Sequence, residues 1–208
     1  MAIRQAKSPI IVLLVLILVA AGAWLMRSSR TGPQTGAAAP QLPRLTEFEL
    51  IAASGETFQS GQLDGKVWVA SYFFTQCGGN CRMLNMELAR LQREYEADGL
   101  HFVSFTCDPK NDSPPELAKY AELLNADQRS WTFLTGELGY LKRIGSDLVN
   151  LPVAYRAHHT QITIVDRSGQ PRGSFDVALR SDLDRAKQLI EKLLAEDTPE
   201  ETLEPAPT

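Results

Sequence analysis

The chain has 208 residues, 44% of them hydrophobic and 22% charged, with a formal net charge of -4. This is an ordinary globular balance, enough for one domain with a real core plus some sequence outside it. A negative charge with no dense Lys/Arg tract argues against nucleic acid as the partner. Three cysteines are too few for a disulfide scaffold, so their positions carry more information than their number.

Residues 1–9 carry Arg4 and Lys7, and Ile10 to Met26 then runs without a charge. At about 1.5 Å per residue this run nearly spans a hydrocarbon core of roughly 30 Å, and residues 10–26 are expected to form a transmembrane helix. Ala21-Gly22-Ala23 has the small-x-small form of a signal peptidase site. Trp24, Leu25 and Met26 extend the apolar run past it, and Trp24 suits a membrane interface, so an uncleaved anchor is preferred to a cleaved signal peptide. Arg27 and Arg30 blur the positive-inside pattern. Orientation therefore rests on the short, cytoplasmic N-terminus and the bulk that follows, which puts the domain in the periplasm or an equivalent extracytoplasmic space. Residues 27–44, rich in Ser, Thr, Gly, Ala and Pro, read as a flexible linker, residues 45–195 as the domain, and residues 196–208 as a disordered acidic tail.

Within the domain, alternation over Thr46 to Ile51 and the turn Ser54-Gly55-Glu56 predict a β-hairpin before Gln62. Lys66 to Phe74 reads as a buried central strand, Cys81 to Asp98 as a helix on the spacing of Leu84, Leu88, Leu91 and Tyr95, and Leu100 to Thr106 as the next strand. Strand, helix and strand with this connection make a parallel crossover unit. Ser113 and Pro114 open a helix over Glu116 to Leu124, with Ser113 a good N-cap. Then follow a strand at Trp131 to Leu134, a helix at Glu137 to Leu148, an irregular stretch from Leu151 to His159, and strands at Gln161 to Val165 and Arg172 to Val177. Leu183, Ala186, Ile190 and Leu194 mark a closing helix.

The chemistry is expected at Cys77-Gly78-Gly79-Asn80-Cys81, beyond the carboxyl end of the first crossover strand, where open α/β sheets place their sites. The two thiols are four residues apart, which on a helix puts them on one face, and a helix N-terminus favours thiolate. They could bind one soft metal ion or close a disulfide. His158 and His159 stand just before a strand from which an imidazole could approach the thiol loop. Two thiolates and an imidazole suit copper as Cu(I) or Cu(II), while zinc would accept the same ligands but wants a fourth. Cys107, the odd thiol, reads as a half-buried strand-end residue and His101 as a surface one. Asp108 and Asp112 read as a capped turn with room for a supporting role near the thiols.

The sequence resembles the Sco/SenC family of membrane-anchored, thioredoxin-like copper proteins that help assemble the copper centre of cytochrome c oxidase. The resemblance lies in the strand ending Phe73-Phe74-Thr75, Cys77-x-x-x-Cys81, Phe102-Val-Ser-Phe-Thr followed by Asp108-Pro109-x-x-Asp112-Ser113-Pro114, and His159-Thr160 leading into Ile162-Thr-Ile-Val-Asp166-x-x-Gly169. It implies a thioredoxin-like α/β fold with a central mixed sheet flanked by helices, copper held by Cys77, Cys81 and His159, and delivery to the copper-accepting subunit of a respiratory oxidase. His158 takes the place where the family commonly has an acidic residue. Gly78-Gly79-Asn80 and Arg82 stand where it usually has prolines within and after the motif, and Cys107 where it usually has an aliphatic residue. On this reading no turnover chemistry is required. The alternatives are an extracytoplasmic thiol-disulfide oxidoreductase using Cys77 and Cys81 as a redox pair, and a copper or redox sensor.

Overall fold

The apolar run ending at Phe74 forms the middle of a seven-stranded mixed sheet. The computed structural model describes residues 45–196. The expected membrane segment, the linker up to residue 44 and the acidic tail after residue 196 lie outside the described residues. Among the described residues no helix is long and apolar enough to cross a membrane.

In chain order the elements are β1 (Glu49–Ala52), β2 (Thr57–Gln59), a 3-10 turn (Ser60–Leu63), β3 (Trp68–Phe73), α1 (Asn80–Tyr95), a 3-10 turn (Glu96–Asp98), β4 (His101–Thr106), α2 (Pro114–Leu123), β5 (Trp131–Thr135), α3 (Leu138–Asp147), β6 (Gln161–Val165), β7 (Pro171–Asp176) and α4 (Arg180–Ala195). The sheet order is β2-β1-β5-β4-β3-β6-β7. The strands β3, β4 and β5 are mutually parallel; β1 and β6 join them antiparallel, and the edge strands β2 and β7 pair antiparallel with β1 and β6 in turn. All six residues of β3 are buried, as a strand covered on both faces requires.

Two registers place the site. In β3 and β4, Phe73 pairs with Thr106, so both strands end together and the loops after them emerge side by side. In β3 and β6, Ser71 pairs with Ile162, and the antiparallel direction brings the entry to β6 to the carboxyl end of β3. The residues before β6 are His158, His159 and Thr160. Gly145 sets where this stretch begins. Leu151 N–H donates to Gly145 O at 2.7 Å, and a Cβ on Gly145 would meet Leu151 O at 2.6 Å.

The core is strongly aromatic. Phe73 stacks on Tyr120 and meets Phe133 edge-on, while Tyr72 stacks on Phe105. Each fully buried side chain of this size contributes about 1.5–3 kcal/mol by leaving water. Within the core Ser71 Oγ lies 2.8 Å from Ser104 Oγ, which also accepts the Trp131 Nε1–H at 2.9 Å.

Several expectations shift on contact with the structure. The helix α1 starts one residue before Cys81 and gives way to a 3-10 turn before Gly99, which sits at φ 81°. Ser113 flanks α2, but its side chain makes no cap, and Pro114 alone marks the start. In α4 the buried residues are Leu183, Ala186, Ile190 and Leu193, with Leu194 only partly covered, because the 3-4-3 spacing keeps one face on the sheet. Cys107 is fully rather than half buried, and His101 is half-buried rather than on the surface, its imidazole pushed down by burial and by Lys66.

Replacing Ser104 with Ala leaves the indole N–H of Trp131 without its acceptor in a dry core. The expected loss is about 1–3 kcal/mol, read as a lower denaturant midpoint with unchanged slope. A loss of only a few tenths would show that the Ser71–Ser104–Trp131 chain is not a stabilising network.

Candidate metal centre

After Phe73 the chain leaves the sheet, and the carboxylate of Asp112 catches it two residues later. The Thr75 N–H donates to both Asp112 oxygens at 3.2 and 3.3 Å, and its hydroxyl donates at 2.6 Å. Thr106, at the end of β4, donates its hydroxyl to the same carboxylate. Asp112 is fully buried, and burial raises its pKa even though these hydrogen bonds work the other way. It ties the start of the thiol loop to the neighbouring strand.

Within the loop, Cys77 N–H donates to Phe74 O at 3.2 Å, turning the chain so that Cys77 and Cys81 both face inward, 5% and 0% exposed. Gly78, Gly79 and Asn80 face outward. All three cysteines are free thiols. The imidazole that meets them comes from His158, whose Nδ1 lies 3.1 Å from Cys77 Sγ. The Sγ atoms of Cys77 and Cys81 and a ring nitrogen of His158 lie within 4.8 Å of one another.

His159 is placed differently. Its ring sits 6.3 Å from that of Tyr72, and its Nε2 is enclosed with no hydrogen-bond partner among the described residues. Burial, and then His158, lowers its pKa, so it is a neutral imidazole at physiological pH. Its backbone is closer to the chemistry, with a hydrogen bond from His159 helping to hold down the Cys81 thiol. The structure thus brings His158 together with both thiols and holds His159 beside them as a half-buried imidazole whose Nε2 has no hydrogen-bond partner among the described residues.

The two thiols differ electrostatically. For Cys77, burial acts to raise the pKa, but the Cys81 thiol, the backbone N–H groups of Gly79 and Cys81, and His158 outweigh it and bring it below the ordinary thiol value. Cys81 is pushed up to about 12 by burial and by the neighbouring Cys77. Cys107 is also pushed up to about 12, by burial and by Asp112. Cys77 is therefore the more readily ionised of the two thiols. The donor chemistry fits a soft, thiophilic ion: two sulfurs, a converging imidazole and an orphaned ring nitrogen alongside. Arg82, Met83 and Met86 face outward on α1 next to the motif, leaving an apolar and cationic rim.

Sequence reasoning found the thiols and the histidine pair. It gave Asp108 and Asp112 only a possible supporting role, used Phe74, Thr75 and Thr106 only as marks of the resemblance, and gave Arg156 no part. The signal was available in the hydroxyl residues just after one strand and at the end of the next, followed by a turn with two acidic residues.

A model of the SCO1/SenC family matches residues 37–195. A SCO1 protein homolog of Bacillus subtilis is 33% identical over 91 residues, which is 43% of this chain. The aligned stretch spans 47% of that relative, about half its length. Among solved structures, BsSco, a member of the Sco family of cytochrome c oxidase assembly proteins in which a disulfide switch was identified, is 21% identical with a TM-score of 0.65, covering 77% of this chain and 98% of that one. Yeast Sco1, solved with copper bound, is 23% identical with a TM-score of 0.58, covering 77% of this chain and 99% of the other. These likenesses establish the thioredoxin-like α/β fold with its mixed sheet.

The unequal thiols predict an order of modification. In the reduced protein at pH 7, iodoacetamide should label Cys77 at least about tenfold faster than Cys81 or Cys107, as mapped by mass spectrometry of the peptides. Because the Cys77 pKa is lowered, its rate should level off below the usual thiol range as pH rises, while Cys81 and Cys107 stay slow until far more alkaline solution. Equal labelling of Cys77 and Cys81 would remove the asymmetry.

Proposed function

The chain belongs to the SCO1/SenC family, and on that premise we propose that it is a membrane-anchored copper chaperone whose domain faces the periplasm or an equivalent space. Copper is its cargo, passed to the copper-accepting subunit of a respiratory oxidase during assembly. The observation that carries the reading is the convergence of two thiols and an imidazole at one sheet end. Sulfur donors prefer Cu(I), and the imidazole keeps Cu(II) within range. That the yeast protein of the same fold was solved with copper, and that BsSco is described as belonging to a family of cytochrome c oxidase assembly proteins, supports the cargo and the client. The anchor rests on the apolar run from Ile10 to Met26.

The proposed ligands are Cys77, Cys81 and His159. Two features support His159: it is kept neutral, as a metal-binding imidazole must be, and its enclosed Nε2 makes no hydrogen bond among the described residues. His158 is then the group that holds Cys77 in the metal-free protein. The convergence of His158 with both sulfurs favours a second ligand set in which His158 is the third donor. The lowered Cys77 beside a raised Cys81 favours a second activity, thiol-disulfide exchange with Cys77 as the attacking thiolate.

Titration of the reduced protein with Cu(I) against a chromophoric chelator should give one tightly held ion per chain, and none after Cys77 and Cys81 are oxidised to a disulfide. Absence of binding to the reduced form would leave the oxidoreductase reading ahead. Replacing His159 with Ala should weaken Cu(I) binding by at least the roughly 10–100-fold that follows loss of a ligand's supporting partner, while reduction of a model disulfide survives. If His158→Ala has that effect and His159→Ala does not, His158 is the ligand.

A further inference from the structure

The stretch that carries the histidines, Leu151 to Thr160, has no regular secondary structure, yet it holds His158 at 3.1 Å from a cysteine sulfur. Its attachments converge on the residues just after β4. Arg156 N–H donates to Cys107 O at 3.1 Å. Cys107 Sγ–H donates back to Ala157 O at 3.6 Å, a reasonable length for a thiol donor. The guanidinium of Arg156 lies 3.6 Å from the carboxylate of Asp108, which is fully buried and is further held by both oxygens to Asn111 Nδ2 at 2.8 and 3.0 Å. The same carboxylate, through a hydrogen bond, raises the phenol of Tyr155 above its ordinary value.

Arg156 also touches the thiol side. Its guanidinium carbon stands 5.0 Å from the centre of the Phe74 ring, in cation-π range, and the His158 ring stands 5.4 Å from that same ring. Phe74 is three residues before Cys77 and 2% exposed. Arg156 takes a left-handed backbone, φ 50°, uncommon for a side chain of this kind and sustained only where surrounding contacts hold it. This turn comes two residues before His158.

We propose that Arg156 is a positioning residue: clasped to Asp108 and laid over Phe74, it sets the turn that presents His158 to Cys77 and leaves His159 facing Tyr72. The clasp reaches copper only through the histidine stretch, so its effect on affinity rests on the copper reading above, whereas its effect on geometry does not. Cys107 and Asp108 thereby gain a part in the site without contacting the cargo.

The test uses reduced, metal-free protein and the same protein titrated with Cu(I). In the wild type, NMR should show cross-relaxation between the His158 and Phe74 rings. Arg156→Ala should abolish it and leave the Tyr72–Phe105 contacts of the core intact. Arg156→Lys, which keeps a charge for Asp108, should retain more of it than Ala. If Arg156→Ala fails to fold because Asp108 is left buried without its cation, the pair Arg156→Ala/Asp108→Asn removes both charges and reads the same contact. Cu(I) affinity should fall about tenfold in Arg156→Ala, the range seen when a residue supporting a ligand is lost. In a His158→Ala/His159→Ala background the same change should make no further difference, since Arg156 acts through the histidine stretch. Persistence of the His158–Phe74 contact in Arg156→Ala, or an undiminished loss of affinity in the His158→Ala/His159→Ala background, overturns the proposal. A wild type that takes up no Cu(I) defeats the copper reading, and the NMR contact then decides the clasp alone.

Discussion

The parallel pairing of β3 with β4 is the constraint on which the site depends. Because Phe73 and Thr106 are in register, the chain leaves both strands at the same level, and a single carboxylate can hold the two exits. Asp112 does this by accepting from Thr75 on one side and Thr106 on the other. Burying a carboxylate is costly unless its oxygens are satisfied, and here the donors belong to the backbone and side chains that must be fixed. The cysteine loop itself has little around it: Gly78 and Gly79 have open space where a side chain would stand. Its order comes from Asp112 behind it and from α1 ahead of it.

The same strand end serves the other half of the site. Cys107 and Asp108 hold the histidine stretch while Asp112, four residues on, holds the thiol stretch. The imidazole thus reaches the thiols across more than seventy residues of sequence, because β6 runs antiparallel to β3 and starts where β3 stops. A mixed sheet is what makes this possible. A wholly parallel β6 would deliver its preceding loop to the opposite end.

Much of this was legible in the sequence, and the reasons are specific. The β3-α1-β4 unit announces itself because its strands are nearly all apolar and its helix repeats Leu84, Leu88 and Leu91 on one face. The thiol pair is legible because glycines and a strand end isolate it. The roles of Asp108, Asp112 and Arg156 were not, because Asp-Pro-Lys-Asn-Asp satisfies the pattern of an ordinary turn, and burial, which turns those carboxylates into anchors, is a property of the packed sheet. The two histidines were equally hard to separate. They are adjacent, and which one faces the sulfurs depends on a single left-handed residue at Arg156 that neither propensity nor periodicity marks. In α4 the same limit appears on a smaller scale, where a one-residue difference between Leu193 and Leu194 decides which is buried.

The electrostatics bear on how firmly such a site would hold its cargo. A thiol ligates a metal as thiolate, so the raised Cys81 must give up a proton when a metal binds, and the lowered Cys77 gives up its own more easily. Metal uptake at neutral pH would therefore release the Cys81 proton, and loss of the metal would take it back. The reprotonation of Cys81 favours the metal-free state and offsets part of the strength of two copper–sulfur bonds. His158, already placed on Cys77, stabilises that thiolate when the metal has gone. A site of two equally lowered thiols would bind more tightly and let go less readily. The asymmetry built by burying Cys81 under the histidine stretch, while leaving Cys77 beside the helix N–H groups, would suit a site that releases a soft ion as readily as it takes one up.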